Sequence, residues 1–368
     1  MQQAKKKIII SGGGSGGHIF PAIAIANALK AKLGDIEILF IGAQDKMEME
    51  KVPNAGYRIE GLWISGLQRS LSPKNLSFPF KLISSLHKAG KIIKEFKPDI
   101  VIGVGGFASG PTLYKAAKMG IPTMIQEQNS YPGITNIILS KRVDKICVAY
   151  DNMEKYFPKE KIFLTGNPVR KQVVEIEGKR PRALEFFGLK NDKPVVLVVG
   201  GSLGARTINE AIEANLKSFI DKDIQLIWQT GKAYYPKAKA TLLDLNSKNI
   251  KAYDFITEMD MAYAAADIVV SRAGAIAISE LCVVKKPVIL VPSPFVAEDH
   301  QTKNALALVT YKAATLVKDA EQNERLMPEI IKLVDDENER LKLINNITSL
   351  AITDATDAIV GVAMTLMK

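Results

Sequence analysis

Twice in this chain a short aliphatic run breaks into a glycine-rich loop and then into a helical pattern, first as IIISGGGSGGHIFPAIAIANAL and again as VVLVVGGSLGARTINEAI. A run without polar alternation suits a strand buried on both faces, and such strands belong to parallel sheets whose crossovers are helices. The repetition restricts the chain to an α/β architecture with two sheets.

The remaining strand signals fall into two series. Lys7 to Ile10, Ile36 to Ile41, Ile100 to Gly103, Thr123 to Gln126, Asp144 to Val148 and Lys161 to Thr165 make the first. Pro194 to Val199, Gln225 to Gln229, Ile250 to Asp254, Ile268 to Ser271 and Val288 to Val291 make the second. Between them, Gly166-Asn167-Pro168-Val169-Arg170 cannot continue a helix and serves as a hinge. A length of 368 residues fits two ordinary cores. We therefore expect two Rossmann-like domains facing across a cleft, over 1–167 and 168–345, with a final helix over 346–368 packing back on the first. Ligands of open parallel sheets sit outside the carboxyl ends of the strands, so both glycine loops should line that cleft.

Composition narrows the function classes. Hydrophobic residues make up 47% and charged residues 24%, ordinary for a globular protein, so neither a disordered chain nor a multi-span membrane protein is indicated. No stretch reaches the length of a membrane-spanning helix, and the apolar run after Lys5 to Lys7 is too short for a signal-peptide core. The formal charge of +10 favours a polyanionic partner without choosing among phosphate-bearing substrates, anionic lipid and nucleic acid. Cys147 and Cys282 lack metal-ligand or CxxC spacing, so a reducing cytosol is the simplest setting.

The first loop contains Gly12, Gly14 and Gly17 in G-x-G-x-x-G spacing and ends at His18. Backbone amides at a helix N-terminus bind anions, and His18 could accept a proton from a hydroxyl or bond a phosphate; a plain helix-start histidine is the alternative. The strand after it ends Phe40-Ile41-Gly42-Ala43-Gln44, which lacks the acid a dinucleotide enzyme places there and weakens a nicotinamide reading. The second loop, Gly200 to Arg206, offers amides suited to a diphosphate, or is simply a tight strand-to-helix turn. Glu280, in the small-residue helix start Ala275-Ile276-Ala277-Ile278-Ser279, needs a ligand diol or a buried donor to satisfy it. Asp221-Lys222-Asp223 spells the short motif of metal-dependent glycosyltransferases but sits at the start of a strand and reads as a solvated turn, so no metal site is expected. From Gly66 to Lys97, Arg69, Lys74, Lys81, Lys88, Lys91, Lys94 and Lys97 interleave with Leu71, Phe78, Phe80 and Ile83. That pattern suits docking on anionic lipid, or an amphipathic core helix with a solvated lysine face; without an accompanying motif, nucleic acid is not expected.

In order, GGGSGGHIFPAIAIA, Gly103-Val104-Gly105-Gly106-Phe107-Ala108-Ser109-Gly110-Pro111, Glu127-Gln128-Asn129 with Pro132-Gly133, Thr165 to Arg170, GGSLGAR, SRAGA with SE, and DHQ with NA resemble the MurG family. These are the transferases that move N-acetylglucosamine from UDP-N-acetylglucosamine (UDP-GlcNAc) onto undecaprenyl-pyrophosphoryl-N-acetylmuramyl-pentapeptide. The resemblance implies GT-B architecture, an N-terminal acceptor domain, a C-terminal donor domain, metal-independent inversion at the sugar carbon and no cofactor. It places Ser15, Gly16, Gly17, Asn129, Arg170, Ser202, Ile256, Ala275, Ile276, Ala277, Ile278, Ser279, Glu280 and Gln301 on the donor, with Glu280 at the ribose. Ser15, Gly16, Gly17 and Asn129 would face the reacting sugars. The acceptor diphosphate would meet Ser15, Gly16, Gly17, His18, Gly105, Gly106 and Ser109. His18 is the leading acid/base candidate and Glu127 the reserve. The implied location is peripheral, on the cytoplasmic face of the inner membrane, with room for other cell-wall proteins as partners.

Three positions depart from the family pattern: Gln126 for a frequent histidine, Leu203 for a usual glutamine, and Lys285 for a usual glycine before Pro287. Two rival functions share the architecture. A UDP-sugar epimerase would need only the donor half, and a nucleotide-regulated membrane-binding module would need no chemistry.

Overall fold

The computed structural model describes residues 5–66 and 77–367. Arg69, Leu71 and Lys74 of the basic stretch lie outside them. The chain divides into two units, one running to Pro168 and resuming at Asp354, the other Val169–Thr353.

The first unit holds seven parallel strands: β1 (Lys6–Ser11), β2 (Ile36–Ala43), β3 (Arg58–Leu62), β4 (Ile100–Gly103), β5 (Thr123–Glu127), β6 (Lys145–Val148) and β7 (Ile162–Leu164). Their order across the sheet is β3-β2-β1-β4-β5-β6-β7, with Ile9 opposite Leu39 on one side and Val101 on the other. Alternate residues of each strand feed two cores. Ile9, Leu39, Ile41 and Val101 pack with Ala89, Ile92 and Ile93 of the helix Phe78–Phe96. On the opposite face, Ile8, Ile10, Ile38 and Ile102 pack with Ile25 and Leu29 of the helix Gly16–Leu33 and with Ile359 and Val360 of the last helix, Ala355–Met364. The return to this unit thus begins at Asp354, after the helix Glu337–Thr348 has finished in the second unit.

The second unit repeats the plan with six parallel strands: β8 (Val195–Val199), β9 (Gln225–Gln229), β10 (Ile250–Tyr253), β11 (Ile268–Ser271), β12 (Val288–Leu290) and β13 (Thr315–Leu316), ordered β10-β9-β8-β11-β12-β13. Val196, Val198, Leu226, Trp228 and Val270 form a core with Ile208 and Ile212 of the helix Arg206–Ala214 and Ile330 of the helix Gln322–Asp335. Both units are therefore doubly wound, Rossmann-like sheets. In each, strand order reverses beside the first strand, between β1 and β4 and between β8 and β11. Loops leaving the carboxyl ends at that point part to opposite faces and leave a crevice for ligand.

Candidate active site

In the first unit, the loops after β1 and β4 interlock. Gly106 has φ +87°, and a Cβ there would stand 2.3 Å from the Gly13 carbonyl oxygen. Only two glycine loops can approach this closely. The helix Gly16–Leu33 then starts with Ser15 extended, and the Ser15 carbonyl takes the His18 and Ile19 amides. Ser15, Gly16, Gly17 and His18 thus occupy the first turn of an eighteen-residue helix, whose amide dipole favours an anion.

Glu48 holds this loop, a role sequence reasoning missed. Its carboxylate is buried and accepts from the Gly14 amide at 2.9 Å and the Ala43 amide at 3.0 Å. A Cβ at Gly13 or Gly42 would collide with it. The Gly14 amide, which the glycine spacing offered to an anion, is thereby committed to the protein itself. Glu48 opens the helix Glu48–Asn54, five residues beyond the end of β2, and its carboxylate is spent on backbone amides. Gln44 also closes inward, its side-chain nitrogen donating to the Gly61 carbonyl.

His18 lies against the β4 loop. A Cβ at Gly105 would come within 2.9 Å of its Cε1, and its Nδ1 is 3.0 Å from the side-chain oxygen of Gln128. Glu127, the reserve base, is buried with both oxygens occupied. Oε1 accepts from the Asn129 backbone and side chain, and Oε2 from the Gly133 backbone and, at 2.8 Å, the Asn136 side chain. Four donors make it the clamp of the loop after β5. Ser109 is buried and donates to the Gly106 carbonyl at 2.9 Å, so it supports the glycine turn from behind.

In the second unit the candidates gather at the carboxyl ends of β8 to β12. The Gly200 to Ala205 loop passes over β9's exit, where a Cβ at Gly204 would stand 2.0 Å from the Thr230 carbonyl oxygen. Ser202 is exposed on it, and Leu203 projects fully, 88% exposed. Buried Gln229 ties two segments together, donating to the Gly201 carbonyl at 3.0 Å and accepting from the Ile256 amide at 2.9 Å. Gln301 accepts from the Ser293 amide at 2.8 Å and holds the Pro292-Ser293-Pro294 turn.

After β11, Gly274 is extended and Ala275 opens the ten-residue helix Ala275–Val284. Ala275, Ile276 and Ala277 supply its first amides. Ile278 and Glu280 are buried, while Ser279 is half-buried and bonds back to the Ala275 carbonyl. Glu280 meets Arg170, whose Nε and Nη2 lie 3.3 and 3.2 Å from Oε1, and it is also bonded by Tyr263. Burial raises the Glu280 carboxyl above its ordinary value, against the opposing charge and hydrogen bond of Arg170 and the hydrogen bond of Tyr263. Tyr263 is a buried donor of the kind its position demanded, while Arg170 reaches it from a largely exposed side chain.

The short acidic motif ends the helix Leu216–Asp221, and Asp223 pairs with Lys193 at the amino-terminal end of β9. It stands at the opposite end of the sheet from the carboxyl-end loops. Burial pushes the Cys147 and Cys282 thiols up to about 12, so neither is a nucleophile at neutral pH. No helix among the described residues is long and apolar enough to cross a membrane.

Residues 8–148 match the glycosyltransferase family 28 N-terminal domain, and residues 195–359 match its C-terminal domain. A UDP-N-acetylglucosamine--N-acetylmuramyl-(pentapeptide) pyrophosphoryl-undecaprenol N-acetylglucosamine transferase of Cytophaga hutchinsonii is 57% identical over 98% of this chain and 96% of its own. The protein of the same description from Parabacteroides distasonis is 55% identical over 97% of each. Among solved structures, Acinetobacter baumannii MurG superposes with a TM-score of 0.81 at 27% identity, over 98% of this chain and 99% of that one. A Neisseria meningitidis UDP-GlcNAc 2-epimerase bound to UDP-GlcNAc shares the fold, with a TM-score of 0.66 at 16% identity over 98% and 100%.

Proposed function

The chain belongs to glycosyltransferase family 28, and on that premise we propose the reaction its two carboxyl-end sites carry out. It transfers N-acetylglucosamine from UDP-GlcNAc to undecaprenyl-pyrophosphoryl-N-acetylmuramyl-pentapeptide, lipid I, giving lipid II for peptidoglycan synthesis. The observation that supports this reading best is near-full-length kinship to transferases of that description, with both glycine loops retained at the two switch points. The epimerases share only the fold.

Residues 168–345 bind the donor. Glu280 accepts the ribose hydroxyls, Ile256 lines the donor site, and Gln301 and the amides of Ser202 and Ala275 to Ser279 surround the diphosphate. Arg170 and the helix N-terminus at Ala275 stabilise the negative charge of departing UDP. Residues 1–167, with the terminal helix, bind the acceptor, whose diphosphate lies on the amides of Ser15, Gly16 and Gly17 beside Gly105 and Gly106, with Asn129 near the sugars. The muramyl 4-hydroxyl oxygen bonds to the sugar C1 as the bond from C1 to the UDP oxygen breaks. Its proton passes to His18, and the configuration at C1 inverts. Glu127 and Ser109 shape the loops without touching the reacting atoms.

The enzyme works at the cytoplasmic membrane surface. On the helix Phe78–Phe96, Phe80 and Ile83 are 70% and 66% exposed. Lys91 and Lys94 are exposed further along it. Lys81 lies over the Trp63 ring and bonds Ser65, while Lys88 bonds the Gly61 carbonyl, so the docking face we assign is Phe80, Ile83 and Trp63 with the outer lysines. UDP release that requires a polyprenyl-diphosphate muropeptide is the deciding assay: conversion of UDP-GlcNAc to an isomeric UDP-sugar without acceptor would favour the epimerase, and UDP binding without turnover the binding module.

A further inference from the structure

We propose that Gln128, locked in a buried ring of side-chain amides, fixes the proton of His18 on Nδ1 and so makes Nε2 the atom that receives the acceptor's proton; this rests on His18 as the base.

The orientation of Gln128 follows from its neighbours. One end of its amide faces three oxygens: the Val104 carbonyl at 3.0 Å, the Gln126 carbonyl at 3.1 Å and the Gln126 side-chain oxygen. Oxygens only accept there, so that end is the NH2 group and the other end, toward His18, is the oxygen. Gln126 is oriented in turn, donating to the Asn167 side-chain oxygen at 2.9 Å, and Asn167 donates to the Gln128 carbonyl at 3.0 Å. All three side chains are buried. Turning any amide over would set like atoms against each other in a buried site, a cost that keeps the ring in one state.

The Gln128 oxygen cannot donate, so the Nδ1 atom 3.0 Å away must carry the hydrogen. A neutral imidazole has one such hydrogen, which leaves the lone pair on Nε2. Gly105, against the ring, holds its plane. When Nε2 takes the hydroxyl proton, the new imidazolium already donates from Nδ1 to a neutral oxygen and need not reorient. Of the two buried carboxylates on these loops, Glu48 is bonded to Gly14 and Ala43, and Glu127 to Asn129, Gly133 and Asn136. The ring also accounts for Gln126 where the family often has histidine. The position requires one donor toward Asn167 and one acceptor toward Gln128, and either side chain supplies both.

The full chain contains only three histidines, His18, His87 and His300, so two-bond proton–nitrogen spectra of histidine-labelled protein resolve each ring. His18 in the unaltered protein should show a protonated Nδ1 and an unprotonated Nε2. Gln128→Met should move the proton wholly or partly to Nε2 and lower kcat by roughly 100-fold, the scale of a lost general base, with UDP affinity unchanged. Gln126→Met keeps both backbone acceptors of Gln128, so it should lower thermal stability yet leave the His18 pattern and kcat near normal. An Nε2-protonated His18 in the unaltered protein would overturn the inference even if the variants failed to fold. So would Gln128→Met that loses kcat with Nδ1 still protonated. Normal turnover in His18→Ala would instead remove the base assignment, leaving the spectra to judge the positioning.

Discussion

Lys285 closes the helix Ala275–Val284 with φ +56° and ψ +41°, in the left-handed region where a side chain costs about 1 kcal/mol and glycine is at ease. The sequence shows lysine where the family usually has glycine; the backbone angle supplies the reason. Lys285→Gly should stabilise the protein by about 1 kcal/mol in denaturant unfolding, with donor binding unaltered. Glu280 makes a second residue-level expectation. Glu280→Ala should weaken UDP binding in calorimetry by roughly 10-fold to 100-fold, the loss of one or two hydrogen bonds to a charged acceptor. Because burial raises its carboxyl, the acceptor form is lost at a higher pH than for an ordinary glutamate, so UDP affinity should fall on mild acidification. His18, Arg170 and Glu280 were legible as residues because their chemistry is unusual for a helix start or a hinge. Glu48, Gln128 and Gln229 were not, since each acts on a partner distant in sequence: Glu48 on Gly14, Gln128 on His18 and Gln229 on Gly201.

Strands buried on both faces announce themselves, and every strand expected from an aliphatic run is present. The two that sequence reading missed are edges: β3, RIEGL, and β13, only Thr315–Leu316. An edge strand needs no continuous apolar run and often carries charge, so its pattern resembles a turn. Among loops, the one after β1 depends on Glu48. Glu48→Ala would leave the buried Ala43 amide and the more exposed Gly14 amide without their acceptor and should destabilise the first unit by about 1 to 3 kcal/mol while slowing transfer, with UDP binding retained. For the helix Phe78–Phe96, the interleaved lysines were visible, yet Lys81 and Lys88 are turned onto Trp63 and Gly61, and the outward face carries Phe80 and Ile83 beside Lys91 and Lys94. Phe80→Ser with Ile83→Ser should abolish sedimentation with anionic vesicles and leave turnover of a water-soluble acceptor analogue intact.

Across the whole molecule, the duplicated strand, loop and helix predicted two sheets and the order in which they occur. The switch points could not be read from one sequence, because strand order is set by crossovers between distant segments. The closing helix belongs to the first unit, where Ile359, Val360 and Ala363 are buried with Ile25 and Leu29. Ending the chain at Thr353 should expose that face and cost several kcal/mol by area burial, seen as a lower first unfolding transition.

That helix has a consequence for how the protein is made. Ribosomes deliver a chain from its beginning, and domains ordinarily fold in the order they emerge. Here the earlier domain has to wait: its last piece, Asp354 onward, is translated only after all of Val169–Thr353. Throughout that interval a sticky flank around Ile25 and Leu29 stands bare, so nascent chains stalled late in synthesis should be the species that chaperones hold.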